Sequence, residues 1–296
     1  MNKALLKEER KHGDPAYPVS VYHITCPPEE PLLDLHWHDE LEFLLVTEGQ
    51  AVFRVEMADY TVRAGEAIFV NSGELHSGYV LGDAPCSFAA VVFHADLLGK
   101  GMIDRLHDQY ILPLLQRNIR PPVHLHAAYN SGHAGLLSQL SLLFESNRKR
   151  ELGYELSTKG LLYLAIVNLL QSADPVQHDQ RGDSGQLRTD RLKAAVEYIE
   201  QHYTEQIQLR ELAELVSMSE SYFCRYFKRI TTKSPIEYIN HYRIQQAAAM
   251  LRHTDKKIMD VALDVGFNNL SYFNVVFKQR FSCSPAAYRK REMRIV

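Results

Sequence analysis

The stretch LRELAELVSMSESYFCRYFKRITTKSPIEY, residues 209–238, is answered by IMDVALDVGFNNLSYFNVVFKQRFSCSPAAY, residues 258–288, and this pairing decides how the last third of the chain folds. Leu209, Leu212, Ala213, Val216 and Met218 stand 49 residues before Ile258, Val261, Ala262, Val265 and Phe267. After a slip of one residue the offset becomes 50. Ser221-Tyr222-Phe223 then matches Ser271-Tyr272-Phe273, Phe227-Lys228 matches Phe277-Lys278, and Ser234-Pro235-x-x-Tyr238 matches Ser284-Pro285-x-x-Tyr288. Self-similarity at a fixed period means that one structural unit is used twice. Apolar residues at i, i+3, i+4 and i+7 predict a short helix in each copy, with a small alanine where a second helix must come close. That second helix begins after a brief turn, behind a capping residue: Ser219 in one copy, Asn268 or Asn269 in the other. This is the plan of a helix-turn-helix.

Between the copies, Pro235 sits at a helix start, and Ile239, Tyr242, Ala247 and Leu251 continue at helical spacing through a segment that serves as a rigid spacer. Similar helix pairs also occur as plain bundles, so charge is needed to choose. The whole chain of 296 residues carries a formal charge of only −3. From Arg188 onward it holds 18 Lys and Arg against 12 Asp and Glu, whereas the part before holds 15 against 24. The two parts therefore differ in sign, and the positive one is the candidate for contact with phosphate. Two capped second helices with polar outward positions, in the positive part, point to double-stranded DNA as the partner, each second helix entering a major groove.

The segment Ile207–Arg289 resembles the DNA-binding domain of AraC/XylS-type transcription regulators, and IMDVALDVGFNNLSYFNVVFKQRFSCSPAAYR follows that family's signature closely. The resemblance implies two helix-turn-helix units joined by a helix, with base-reading positions at Glu220, Ser221, Cys224 and Arg225 in the first unit and at Leu270, Ser271, Asn274 and Val275 in the second. Arg225 is the strongest single candidate, because a guanidinium pairs bidentately with guanine. Its counterpart Val275 departs from the arginine often found there, so the second unit is expected to read bases weakly. Thr232 and Ser282 stand where the family usually has glycine, which implies a strained or altered turn.

The first part of the chain reads differently. Leu41–Val46, Ala51–Val55 and Ala67–Val70 are short strand-like runs separated by Glu48-Gly49, Ala64-Gly65 and Ser72-Gly73-Glu74, as in a barrel or jelly roll. From Gly132 to Gln171 the period becomes helical. Leu136, Leu140 and Leu143 lie on one stripe and Leu161, Leu162, Ala165, Leu169 and Leu170 on another, with a charged break at residues 148–151. This helical hairpin either covers the barrel or forms a dimer interface. The expected organisation is an all-β cupin-like barrel at 1–130, a helical hairpin and candidate dimerisation element at 131–171, a linker at 172–187, and an all-α DNA-binding domain at 188–296. No apolar run reaches the roughly 18–20 residues that span a bilayer, and the first residues lack an apolar signal region. The four cysteines, Cys26, Cys86, Cys224 and Cys283, show no metal-ligand spacing. A soluble cytoplasmic protein is expected.

His36-Trp37-His38 with Glu42 and Gly49 spells H-x-H-x3-E-x6-G, and Gly65-x5-Asn71-x-Gly73-x2-His76 follows it. Residues two apart on a strand face the same way, so His36 and His38 are expected on one face. These motifs resemble the cupin superfamily, which implies that His36, His38, Glu42 and His76 could together hold a divalent metal. Three imidazoles and a carboxylate suit a transition metal, and a metal-dependent dioxygenase or isomerase is the rival reading. Val80 and Asn71 depart from the second motif, replacing its asparagine and its proline. The AraC/XylS resemblance implies instead that the four residues contact a small-molecule effector, a saccharide being the commonest in that family, with no required cofactor. It also implies a homodimer, with RNA polymerase as a further candidate partner, and leaves open whether the protein activates or represses.

Overall fold

A computed structural model describes residues 6–8, 10–28, 31–99, 104–173, 180–231 and 233–292, with side chains left out at 180–188 and 292. The chain forms two compact units, one of Lys7–Gln186 and one of Leu187–Val296 together with Leu6.

The first unit is built on two antiparallel sheets. The strands are β1 (Val19–Cys26), β2 (Pro31–His36), β3 (Leu41–Glu48), β4 (Gln50–Val55), β5 (Ala58–Arg63), β6 (Ala67–Val70), β7 (His76–Val80), β8 (Cys86–Phe93) and β9 (His124–Leu125). One sheet has the order β1-β8-β3-β6-β9 and the other β2-β7-β4-β5. Strand alternation sorts their residues. Leu44, Val46, Phe53, Val62, Ile68 and Phe88 form one buried cluster, while the opposite parity of the first sheet, with Phe43, Phe69, Val91 and Phe93, belongs to a second. The turn at Gly49 requires glycine: φ is +76°, and a Cβ would lie 2.6 Å from the Pro85 carbonyl.

A short helix, α1 (Leu112–Leu115), precedes the hairpin of α2 (Ser131–Lys149) and α3 (Tyr154–Gln171). Asn130 caps α2 by accepting from the His133 N–H at 2.8 Å. Leu136, Leu140 and Leu143 of α2 and Leu162, Ala165 and Leu169 of α3 are buried in the same cluster as Phe43 and Phe93, so the hairpin does cover the sheet. A further stripe on α3, Leu156, Leu164 and Val167, stays exposed at 78%, 52% and 46%.

The second unit is all helical: α4 (Gln180–His202), α5 (Leu209–Leu215), α6 (Glu220–Thr231), α7 (Pro235–His253), α8 (Ile258–Asp264), α9 (Leu270–Phe281) and α10 (Pro285–Glu292). Part of the expected linker, 174–179, lies outside the described residues, and α4 starts at Gln180, inside the remainder. The repeat is literal. α5 and α8 each have 7 residues, and α6 and α9 each have 12. The one-residue slip falls in the turn between them, Val216–Ser219 in one copy and Val265–Asn269 in the other. Phe223 and Phe227, like Phe273 and Phe277, are fully buried. Pro235 opens α7 behind a capping box in which Ser234 Oγ accepts from the Glu237 N–H and Glu237 accepts from the Ser234 N–H. Among the described residues no helix is long and apolar enough to cross a membrane.

Candidate functional site

The histidine motif is brought together by strand pairing. His36, at the end of β2, lies directly opposite His76 at the start of β7, and their ring centroids are 4.1 Å apart. Glu42 projects from β3, with the parity of Leu44 and Val46. His38 joins from a different place than expected: β2 ends at His36, so His38 arrives from the β2–β3 connection. One ring nitrogen from each of His36, His38 and His76 still lies within 4.8 Å of the other two. His38, Glu42 and His76 are buried, and His36 is half-buried.

Each of the three rings donates its Nδ1–H to a main-chain carbonyl: His36 to Asp34 at 2.7 Å, His38 to Glu40 at 3.2 Å and His76 to Glu74 at 2.8 Å. That arrangement turns each Nε2 into the site, where His38 Nε2–H donates to Glu42 Oε2 at 3.1 Å. Glu42 Oε2 stands 3.1 Å from His38 Nε2 and 3.1 Å from His76 Nε2, and the His76 atom has no hydrogen-bonded partner there. The acceptors left for a ligand are the Nε2 atoms of His36 and His76 and the remaining lone pairs of Glu42. Burial would raise the Glu42 carboxyl, yet His38 and His76 outweigh it and hold the group well below the usual carboxylate range. Burial likewise opposes the charged form of His38, and Glu42 more than offsets this, so its pKa lies above the ordinary value. Burial and the neighbouring His76 push His36 down to about 4. The donor set fits a divalent transition metal, since ligating histidines characteristically donate their other N–H to a carbonyl.

Two members of the site were not found in the sequence. Glu8 Oε2 lies 3.5 Å from His36 Nε2 and 3.3 Å from His12 Nε2, and the His12 ring centroid is 5.6 Å from that of His38. The N-terminal segment is fixed there by the Glu8 N–H donating to the Trp37 carbonyl at 2.8 Å and by Lys7 pairing with Asp39 at 3.0 Å. No spacing rule connects a Glu-x3-His near the N-terminus with a motif some 25 residues on. In sequence it reads as a solvated charge run.

In the second unit, Glu220, Ser221 and Arg225 are exposed on α6, and Leu270, Ser271, Asn274 and Val275 on α9. Cys224 is half-buried. Among the described residues no hydrogen bond or ion pair ties down Arg225. Asn269 caps α9, accepting from the Tyr272 N–H at 3.0 Å. Ser282 ends that helix in the left-handed region at φ +57°, the strained turn that a missing glycine implies. Thr232, its counterpart, lies outside the described residues.

Comparison with known proteins places both units. Residues 17–166 match the AraC-like ligand binding domain and residues 212–291 a helix-turn-helix domain. The HTH-type transcriptional regulator YdeC of Bacillus subtilis is 30% identical over 287 residues, 96% of each chain. The HTH-type transcriptional activator RhaS of Enterobacter sp. is 25% identical over 255 residues, covering 86% of this chain and 87% of its own. Among solved structures, the C-terminal domain of AraT from Geobacillus stearothermophilus matches 34% of this chain and 84% of its own at 29% identity, with a TM-score of 0.33. Both the domain matches and these full-length relatives are those of a regulator. The protein is not an enzyme, which sets aside the dioxygenase or isomerase reading.

Proposed function

This chain belongs to the AraC family of transcription regulators, and from that premise we propose that it is a cytoplasmic, homodimeric activator whose DNA binding responds to a saccharide held by His36, His38, Glu42 and His76. The observation that carries the ligand assignment is the set of acceptors in the cluster. The Nε2 atoms of His36 and His76 and a buried carboxylate, to which His38 Nε2–H already donates, converge there, and sugar hydroxyls donate to such acceptors. The similarity to the transcriptional activator RhaS supports activation, with RNA polymerase as the further partner.

The DNA contacts assigned are Glu220, Ser221, Cys224 and Arg225 of α6 and Leu270, Ser271, Asn274 and Val275 of α9, with Arg225 carrying most of the base discrimination. The exposed stripe of Leu156, Leu164 and Val167 supports α3 as the dimer contact. A ligand that binds one conformation of the first unit more tightly shifts DNA affinity by no more than that difference.

A second reading of the cluster rests on the same groups: His36, His38, His76 and Glu42 would hold a divalent metal, which would supply a Lewis-acidic anchor for the effector's hydroxyls. Fluorescence anisotropy of a selected DNA site, with and without each of a panel of monosaccharides, tests the proposal. The expected result is a sugar-dependent change in affinity that His38→Ala and His76→Ala abolish. A panel without effect on DNA affinity or site choice overturns the saccharide assignment. Stoichiometric zinc, manganese or iron in the purified chain would establish the metal reading.

A further inference from the structure

The first unit also contains a cavity of about 430 Å³, where the β4–β5 hairpin, the β6–β7 connection and residues 117–123 meet. That volume falls in the range of roughly 300–1,000 Å³ typical of small-molecule pockets. Tyr60, Ile119 and Val123 give it an apolar wall, and charged groups of both signs stand around it: Glu56, Glu74, Arg117 and Arg120.

Because these charges cancel, the hydrogen bonds decide what the cavity would accept. Glu74 Oε2 accepts from the Asn71 N–H at 2.9 Å, and Glu56 Oε1 from the Leu75 N–H at 3.2 Å, so each carboxylate already serves the main chain. Asn71 is used at both ends, donating to the Leu114 carbonyl at 2.8 Å and accepting from the Ser72 N–H at 2.8 Å. Arg117 differs. A guanidinium offers five donors in a fixed fork, yet the half-buried Arg117 makes one bond, from Nη2 to the Ser72 carbonyl at 3.3 Å, and no ion pair among the described residues. Its backbone sits at φ +61°, in the left-handed region that disfavours a residue with a Cβ.

We propose that this cavity is a second ligand site, separate from the histidine cluster, that takes a small carboxylate with an aromatic or short aliphatic body. The carboxylate accepts two parallel hydrogen bonds from the Arg117 fork, and the body packs on Tyr60 and Val123. The site reaches the cluster through one loop. Ser72, whose carbonyl Arg117 now holds, also donates its Oγ to the Asp39 carbonyl at 2.8 Å. The Gly73 N–H donates to the His38 carbonyl at 2.7 Å, and the Glu74 carbonyl accepts from His76 Nδ1. A carboxylate that draws the guanidinium off Ser72 therefore acts on the segment that orients His38 and His76.

Calorimetric titration of the full chain with benzoate, phenylacetate and hexanoate, each against its neutral amide, tests this. At least one acid is expected to bind about tenfold or more tightly than its amide, and Arg117→Gln to remove that preference while His38→Ala keeps it. Should Arg117→Gln fail to fold, Arg117→Lys, which keeps the charge but loses the fork, is expected to bind the same acid more weakly. Three outcomes overturn the proposal: no acid binds, acid and amide bind alike, or binding is lost in His38→Ala and kept in Arg117→Gln.

Discussion

Arg225→Ala separates base reading from phosphate contact. Arg225 is exposed on α6, and no described residue holds its guanidinium, so its removal should change folding stability by no more than about 0.5 kcal/mol. The whole effect then falls on DNA. A bidentate arginine–guanine pair contributes about 1–3 kcal/mol of discrimination, which at 1.4 kcal/mol per tenfold corresponds to roughly 5- to 150-fold at one base pair. Half-buried Cys224, one residue before, has less reach and should contribute less. The assay is selection of DNA from a random pool by wild-type and variant protein at one fixed salt concentration, followed by binding measurements across salt. The expected outcome is loss of preference at a single guanine position with the rest of the motif intact. If every position weakens evenly and the salt slope drops by about one, Arg225 contacts phosphate only, and the base-reading argument is wrong.

Val275→Arg supplies to α9 the side chain that α6 has, and should add a base preference to the second half of the selected motif; an unchanged motif would mean that α9 does not face the groove as α6 does. Ser282→Gly removes a Cβ from a left-handed residue and should stabilise the helical unit by roughly 0.5–1 kcal/mol, read as a higher melting temperature by calorimetry; a lower one would mean that the serine side chain is needed there. Phe273→Ala, at a fully buried ring, should cost about 3–5 kcal/mol and abolish DNA binding through unfolding, visible as lost helical circular dichroism. Leu156→Glu combined with Leu164→Glu should convert a dimer to a monomer in sedimentation experiments without lowering the melting temperature; a dimer that persists would place the contact elsewhere.

The helix pairs were legible because the pattern is printed twice: either copy alone reads as a bundle, whereas two copies at 49 and 50 residues fix the helix lengths and put the extra residue in the turn. His36 and His76 were legible as motif members, but their meeting depends on the β2–β7 register, which places them opposite one another. His38 kept its role though not its strand. Glu8 and His12 were not legible, because a pairing of the N-terminal segment with Trp37 has no local periodicity. The polar start of α4 was missed for a related reason. Extending a helix already anchored by Leu192, Ala195, Val196 and Ile199 needs no apolar stripe, since propagation is far easier than nucleation.

The acceptors at the histidine cluster bear on regulation through the same physics. A buried polar group without a partner costs about 1–3 kcal/mol, and His76 Nε2, with the Glu42 carboxylate 3.1 Å away, makes no hydrogen bond of good geometry. A ligand that donates to it relieves that cost only where the cluster is assembled, with His36 and His76 in register and the loop at residues 71–75 in place. Binding therefore favours the ordered arrangement over any looser one, stabilising it by about 2.7 kcal/mol at a hundred times the dissociation constant. That figure bounds how much ordering of the unit such a ligand concentration can drive, and the effect on DNA can be no larger than the part of it that distinguishes the two conformations.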